Sequence, residues 1–165
     1  MPDERADLLD ALRIHREFLR FAVRGVDESQ ARLAPTTSEL CLGGILKHVS
    51  RTEENWVRFL LEGPSALAMT PESMERHAAG FRMTDEETVE SLLAEYDRVS
   101  ARTDELVASL PDLSAAQPLP EAPWFPPGAT RSARRVFMHI VAETAQHAGH
   151  ADIIRETIDG QRTMG

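Results

Sequence analysis

The chain has 165 residues, enough for one domain with a sizeable core, and its apolar and charged fractions of 42% and 27% are typical of globular proteins. Its net charge of −9 argues against a nucleic-acid-binding protein, because affinity for phosphate backbones depends on clustered Lys and Arg side chains. No segment approaches the roughly 20 apolar residues of a membrane span and the acidic N-terminus does not resemble a signal peptide, so residues 1–165 are expected to form one cytoplasmic domain without a membrane partner.

Two helices are predicted in the first part of the chain. Residues 3–23 place apolar side chains at the three- and four-residue spacing of one helix face, and Gly25 ends this pattern. A short helical turn is expected near residues 28–33. The second helix is predicted over residues 42–62, and Gly63 with the proline that follows ends it. Its expected buried stripe contains Ile45, Leu46, Val49, Trp56, Phe59 and Leu60.

The third helix has the clearest predicted start. Residues 63–83 show little periodicity and are expected to form a loop of about 20 residues. Thr84 and Glu87 have the spacing of a capping box, in which each side chain accepts a hydrogen bond from the other residue's backbone amide. A helix is therefore predicted over residues 84–110.

A proline-rich connection precedes the last helix. Residues 111–128 contain six prolines, which exclude a helix or a central strand, and Trp124 and Phe125 are expected to hold this segment against the bundle. The fourth helix is predicted over residues 132–159, and the basic run at residues 130–135 is interpreted as its start. No convincing strand appears, so the sequence predicts an all-α four-helix bundle whose long connections favour crossovers.

The predicted apolar face of the fourth helix carries three polar side chains. Glu143, His147 and His150 continue the line of Val136 and Ile140 at helical spacing, which predicts that they face the interior. A buried carboxylate is costly unless a cation or hydrogen-bond donors compensate it. One carboxylate with two imidazoles therefore indicates a divalent metal ion.

The second helix offers a further ligand, because His48 lies beside its apolar stripe and bundles often build metal sites from facing helices. His48, Glu143 and His147 make the set expected of zinc with an open position, and nickel, iron or manganese would also suit such ligands. His150 could replace Glu143 as the third ligand, but we favour it as a supporting group or substrate contact. Arg51 is a second candidate for that supporting role.

Other polar residues are interpreted without a metal. An interior network of His and Glu held by hydrogen bonds is the alternative to the metal site. His139 lies two helical turns before the predicted histidine ligand on the same helix, too far to share its ion. His15 is interpreted as a core histidine and His77 as a loop residue. Glu53 fits either a supporting role or a solvated helix face, and Cys41 is interpreted as a small buried residue.

Three segments of the chain carry a family resemblance: GGILKHVSRTEENWVRFLLEG, FRMTDEETVESLLAEYD and HIVAETAQHAGHADIIRETIDG. Together they resemble the DinB/YfiT-like superfamily, in particular its actinobacterial branch of uncharacterised and mycothiol-transferase-like members. The resemblance implies a four-helix bundle with an unusual crossover topology and a divalent metal near one end. In many relatives three histidines hold the metal, and His48 and His147 match two of them. Glu143 stands at the third position, which is similar to mycothiol-dependent maleylpyruvate isomerase, and His150 stands where relatives often have Gln.

The resemblance implies a metal-dependent transferase in which a low-molecular-weight thiol, such as mycothiol, attacks an electrophilic small molecule. Cys41 lies about two turns before His48, so the nucleophile is expected to come from a separate thiol. A metal-assisted hydrolase with a spare carboxylate or His150 as base is one alternative, and a non-catalytic metal-binding stress protein is another. An exposed apolar face on the first or third helix would favour a homodimer.

Overall fold

Six α-helices account for most of residues 3–163, the part of the chain that the computed structural model describes. Residues 1, 2, 164 and 165, which the predicted domain includes, lie outside the described residues. The helices are α1 (Glu4–Ala22), α2 (Glu28–Arg32), α3 (Leu42–Glu62), α4 (Pro71–Ala79), α5 (Val89–Ser109) and α6 (Ala133–Asp159). A 3₁₀ helix covers Pro64–Leu67, and strands β1 (Ala116–Pro118) and β2 (Thr130–Ser132) pair antiparallel.

The four long helices form a bundle with crossover connections. Helix α1 packs against α6 and α5, and α3 packs against the same two helices. Helices α1 and α3 therefore occupy diagonal positions, and so do α5 and α6. The connection from α1 to α3 and the connection from α5 to α6 therefore each cross an end of the bundle diagonally. The predicted all-α bundle with crossovers is confirmed, and within residues 3–163 no helix is long and apolar enough to cross a membrane.

The two helices that carry the predicted ligands have the predicted bounds to within one residue. Ser132 caps α6 by accepting a hydrogen bond from the backbone amide of Arg135. Gly160 ends α6 with a φ of 80°, a left-handed conformation that glycine adopts without steric cost. Gly63 ends α3 with a φ of 81°. Local capping chemistry thus fixes where these helices stop.

Three predictions about the connections are wrong. The expected loop after α3 contains the 3₁₀ helix and α4, and the sequence signal for α4 is a capping box of Thr70 and Ser73 with Pro71 in the first turn. Helix α5 begins one turn later than predicted, because Thr88 caps it, while the Glu87 carboxylate accepts from the Thr84 amide at 2.8 Å. The proline-rich connection forms the short sheet.

The core consists of two apolar clusters with a buried ion pair between them. Arg16 lies between the core residues Leu12 and Leu19 of α1, and Glu53 lies between Val49 and Trp56 of α3. The Arg16 Nη2 atom is 2.5 Å from Glu53 Oε1, and the two side chains are 3% and 1% exposed. Glu53 is therefore neither a solvated charge nor free to support a site elsewhere. It is the counterion of a buried guanidinium.

Candidate metal site

Helices α3 and α6 bring His48, Glu143 and His147 together. Each residue offers one ligand atom, and these atoms all lie within 4.8 Å of one another. Glu143 Oε2 lies 3.8 Å from His147 Nε2, and the His48 and His147 ring centroids are 4.8 Å apart. Tetrahedral zinc, with bonds of about 2.0–2.2 Å to nitrogen and oxygen, would need ligand atoms about 3.3–3.6 Å apart. The largest separation, at most 4.8 Å, would have to shorten by about 1 Å for an ion to be held by all three atoms.

Both imidazoles are in the state that binds metals. His48 and His147 are each 8% exposed. Burial lowers the pKa of His48 to about 4, and the neighbouring His147 and His77 rings act in the same direction. Burial and the His150 ring likewise lower the pKa of His147. Since a metal competes with protons for these nitrogens, low pKa values leave the site ready for an ion at neutral pH.

Glu143 is more accessible than the sequence suggested. Its side chain is 29% exposed, so it is not enclosed between the helices, and His150 is also only half-buried. The desolvation cost that would demand a compensating cation is correspondingly smaller. The case for a metal therefore depends on the convergence of three donor atoms, two of them on neutral imidazoles, and not on the burial of a carboxylate.

His150 and His139 support the cluster from either side. His150 Nδ1 lies 3.4 Å from His147 Nδ1, while the other nitrogen of His147 faces Glu143. A metal-binding histidine usually has such a hydrogen-bonding partner on its second nitrogen, which fixes the orientation of the ring. His139 Nε2 lies 3.7 Å from the second carboxylate oxygen of Glu143. This arrangement favours Glu143 over His150 as the third ligand.

The remaining sequence candidates lie elsewhere. Arg51 is exposed on α3. His15 is only half-buried and lies beside Phe18, so it is not the fully buried core histidine that was expected. Cys41 is buried as predicted, and its Sγ atom accepts a hydrogen bond from the Gly44 amide at the start of α3.

An aromatic cover over the cluster was missed by the sequence analysis. The Phe81 ring stacks on the His48 ring at a centroid distance of 3.9 Å. His77 belongs to α4 and not to a loop, and its ring lies 5.8 Å from that of His48. Neither contact has a signature in the sequence, because both join residues that are about 30 positions apart. Together they cover one side of the candidate site.

The backbone around Phe81 can approach α3 closely because the first turn of α3 contains Gly43 and Gly44. A Cβ atom on Gly44 would lie 1.9 Å from the Phe81 carbonyl oxygen, and one on Gly43 would lie 2.4 Å from the sulfur of Met83. Lys47, the only lysine of the chain, donates to the Arg82 carbonyl at 3.1 Å and pairs with Glu87 at 2.8 Å. The cover is therefore held by a close backbone approach and a buried ammonium group.

Replacing Gly44 by alanine is expected to lower the free energy of unfolding by roughly 1–3 kcal/mol, because the new methyl group has no space. Urea denaturation followed by circular dichroism measures this loss. Gly149, in α6, is the matched control, since nothing lies within 4 Å of its added Cβ. Gly149→Ala is expected to stabilise the protein by roughly 0.5–1 kcal/mol. Equal stability of the Gly44→Ala protein and the unmodified protein would contradict the close approach.

The sequence and the fold were both compared with those of known proteins. The family model described as mycothiol-S-transferase matches residues 7–160. The fold is similar to the crystal structure of a conserved protein from Enterococcus faecalis, with a TM-score of 0.69 and 12% identity, over 98% of this chain and 100% of that chain. A comparison with curated proteins found no match.

Proposed function

Because the chain belongs to the mycothiol-S-transferase family, we propose that it joins a low-molecular-weight thiol, through its sulfur, to an electrophilic small molecule at a divalent metal site. His48, Glu143 and His147 would hold the ion, with mycothiol as the first thiol to test. The membership agrees with the resemblance seen in the two histidine-bearing segments. The observation that carries the proposal is the convergence of three ligand atoms within 4.8 Å.

The donor set suits a zinc ion with an open coordination position. Two neutral imidazoles and one carboxylate would leave a divalent ion with a net charge near +1, which favours an additional anionic ligand. When bound, such an ion would lower the pKa of a coordinated thiol and so supply a thiolate at neutral pH.

The nucleophilic sulfur must come from outside the protein. Cys41 is the only cysteine of the chain, it is buried, and its Sγ atom is engaged at the start of α3 by the Gly44 amide at 3.3 Å. A separate thiol co-substrate satisfies this requirement.

His150 and Phe81 have distinct roles in the proposed reaction. His150 is half-buried beside His147, where its Nδ1 atom can accept the hydrogen of His147 Nδ1 and so fix the orientation of the ligand ring. Phe81 lies flat on His48 and limits the access of water to that side of the cluster. Exclusion of water favours attack by sulfur over hydrolysis.

Thiol-dependent turnover that requires a metal tests the proposal. The purified protein is assayed for bound metal by mass spectrometry, then for conjugation of mycothiol with 1-chloro-2,4-dinitrobenzene. Chelation is expected to remove the activity, and added zinc is expected to restore it. Turnover without any thiol would indicate a hydrolase instead. Unfolding on chelation, in a protein that never conjugates thiols, would indicate a purely structural ion.

A further inference from the structure

A second feature of the α3–α6 groove is an open cavity of about 560 Å³. The proline-rich connection and β2 form one wall, and α3 and α6 form the other. Both tryptophans of the chain line it. The lining residues used below are Trp56, Trp124, Phe125, Arg131, Arg135 and His139.

The cavity lies in the same groove as the candidate metal site. The His48 and His147 rings meet at 4.8 Å, and the Trp56 and His139 rings meet at 4.9 Å. Eight residues separate the two contacts on each helix, which corresponds to two turns and about 12 Å along the axis. His139 also touches Glu143, so it joins the cavity to the metal cluster.

Arg131 is held in the cavity without an acidic partner. Its guanidinium lies over the Trp56 ring at 4.5 Å and beside the Phe125 ring at 5.4 Å. The Nη1 atom is buried, and no other described residue accepts a hydrogen bond from it. An unsatisfied buried donor is costly, and a charged one more so. Burial and the positive charge of Arg135 both lower the pKa of Arg131, as expected where a counterion is missing.

Unlike Arg131, the neighbouring Arg134 has an acidic partner. It belongs to the same basic run, but it forms an ion pair with Glu4 of α1 on the other side of the helix start. The interpretation of this run as a simple helix start explains Ser132 and Arg134. It does not explain why the Arg131 guanidinium contacts two aromatic rings and no carboxylate among the described residues, in a protein that carries nine excess negative charges.

We propose that Arg131 and Arg135 bind the carboxylate of a flat, apolar electrophile in this cavity. A planar guanidinium matches a carboxylate in a bidentate pair, and the aromatic walls suit an aryl or alkenyl body. Bound in this way, the electrophile extends along the groove towards His147. The identification as an electrophile rests on the proposed thiol transfer, whereas the carboxylate site itself does not.

For an aryl chloride the reaction balances without another reactant. The thiol sulfur bonds to the ring carbon that carries chlorine, the carbon–chlorine bond breaks, and chloride leaves. The thiol proton is released to water.

Equilibrium binding without any thiol tests the site. The probes are 4-chloro-3-nitrobenzoate and the uncharged 4-chloro-3-nitrobenzamide, which share the same ring. Binding to the purified protein is measured by calorimetry and by quenching of tryptophan fluorescence, since both tryptophans line the cavity. The benzoate is expected to bind at least about 10-fold more tightly than the amide, as a charge-assisted hydrogen bond would give.

Variants then assign the preference to a residue. Arg131→Gln is expected to abolish the preference for the benzoate, and Arg134→Gln, the matched control, to retain it. Arg131→Lys keeps the charge and is expected to retain the preference with weaker affinity. Circular dichroism verifies that each variant is folded.

Equal binding of benzoate and benzamide by the unmodified protein would overturn the proposal, whatever the variants do. So would a preference that survives in a folded Arg131→Gln protein. A clear benzoate preference in a protein that never conjugates thiols would instead count against the proposed function alone and leave the carboxylate site standing.

Discussion

Replacing His147 by alanine is expected to abolish stable metal binding and to lower thiol-conjugating turnover by more than about 100-fold, because loss of a mere supporting residue already costs about 10–100-fold. His147 contacts every other member of the cluster: Glu143 through Nε2, His150 through Nδ1, and His48 ring to ring. The measurements are metal content by mass spectrometry and steady-state turnover with mycothiol.

The matched control is His15→Ala. His15 is also a partly buried helical histidine, but it contacts Phe18 and is not part of the cluster. Its loss is expected to leave metal content and turnover unchanged. A folded His147→Ala protein with normal metal content would show that the cluster is an ordinary hydrogen-bonded network.

Two further variants, measured in the same assays, determine whether Glu143 or His150 is the third ligand. Glu143→Gln removes the carboxylate charge and is expected to behave like His147→Ala. His150→Ala is expected to retain the metal and to lose about 10–100-fold in activity, as a supporting residue would. The reverse order would identify His150 as the ligand.

The parts of the fold that sequence predicts are those governed by local chemistry. The bounds of α3 and α6 follow from apolar periodicity and from Gly63 and Gly160, whose positive φ values end the helices. The i, i+4 spacing of Glu143 and His147 likewise determines that they share a face. The position of His48 beside the apolar stripe of the second helix predicted it as the partner of that face, and the family resemblance agreed.

The parts that sequence misses depend on contacts between distant segments. Phe81 covers His48 because Gly44 admits its backbone, and no local pattern records that approach. Arg131 resembles any residue of a basic helix start until the proline-rich connection folds Phe125 beside it. Burial of a charge is similarly invisible in a helical pattern, which shows where apolar residues recur but not which charged residue sits among them.

The second large effect is expected on stability, when the buried ion pair of Arg16 and Glu53 is broken. Glu53→Ala is expected to lower the free energy of unfolding by about 3–5 kcal/mol, because it leaves a buried guanidinium with one fewer counterion. Asp104, 2.7 Å from Arg16 Nη1, is 46% exposed and replaces only part of the lost compensation. Since small domains have about 5–15 kcal/mol of stability in total, this loss should be plain in urea denaturation.

Two further variants test whether the loss of stability in Glu53→Ala comes from an unpaired buried charge. Glu95→Ala removes an exposed ion pair with Arg98 and is expected to cost less than about 1 kcal/mol. The double replacement Arg16→Met with Glu53→Leu fills the space with apolar groups and is expected to recover most of the stability, because no unpaired charge remains. If the double variant were no more stable than Glu53→Ala, the unpaired Arg16 charge would not account for the loss. The ion pair itself would then contribute to stability between the two apolar clusters.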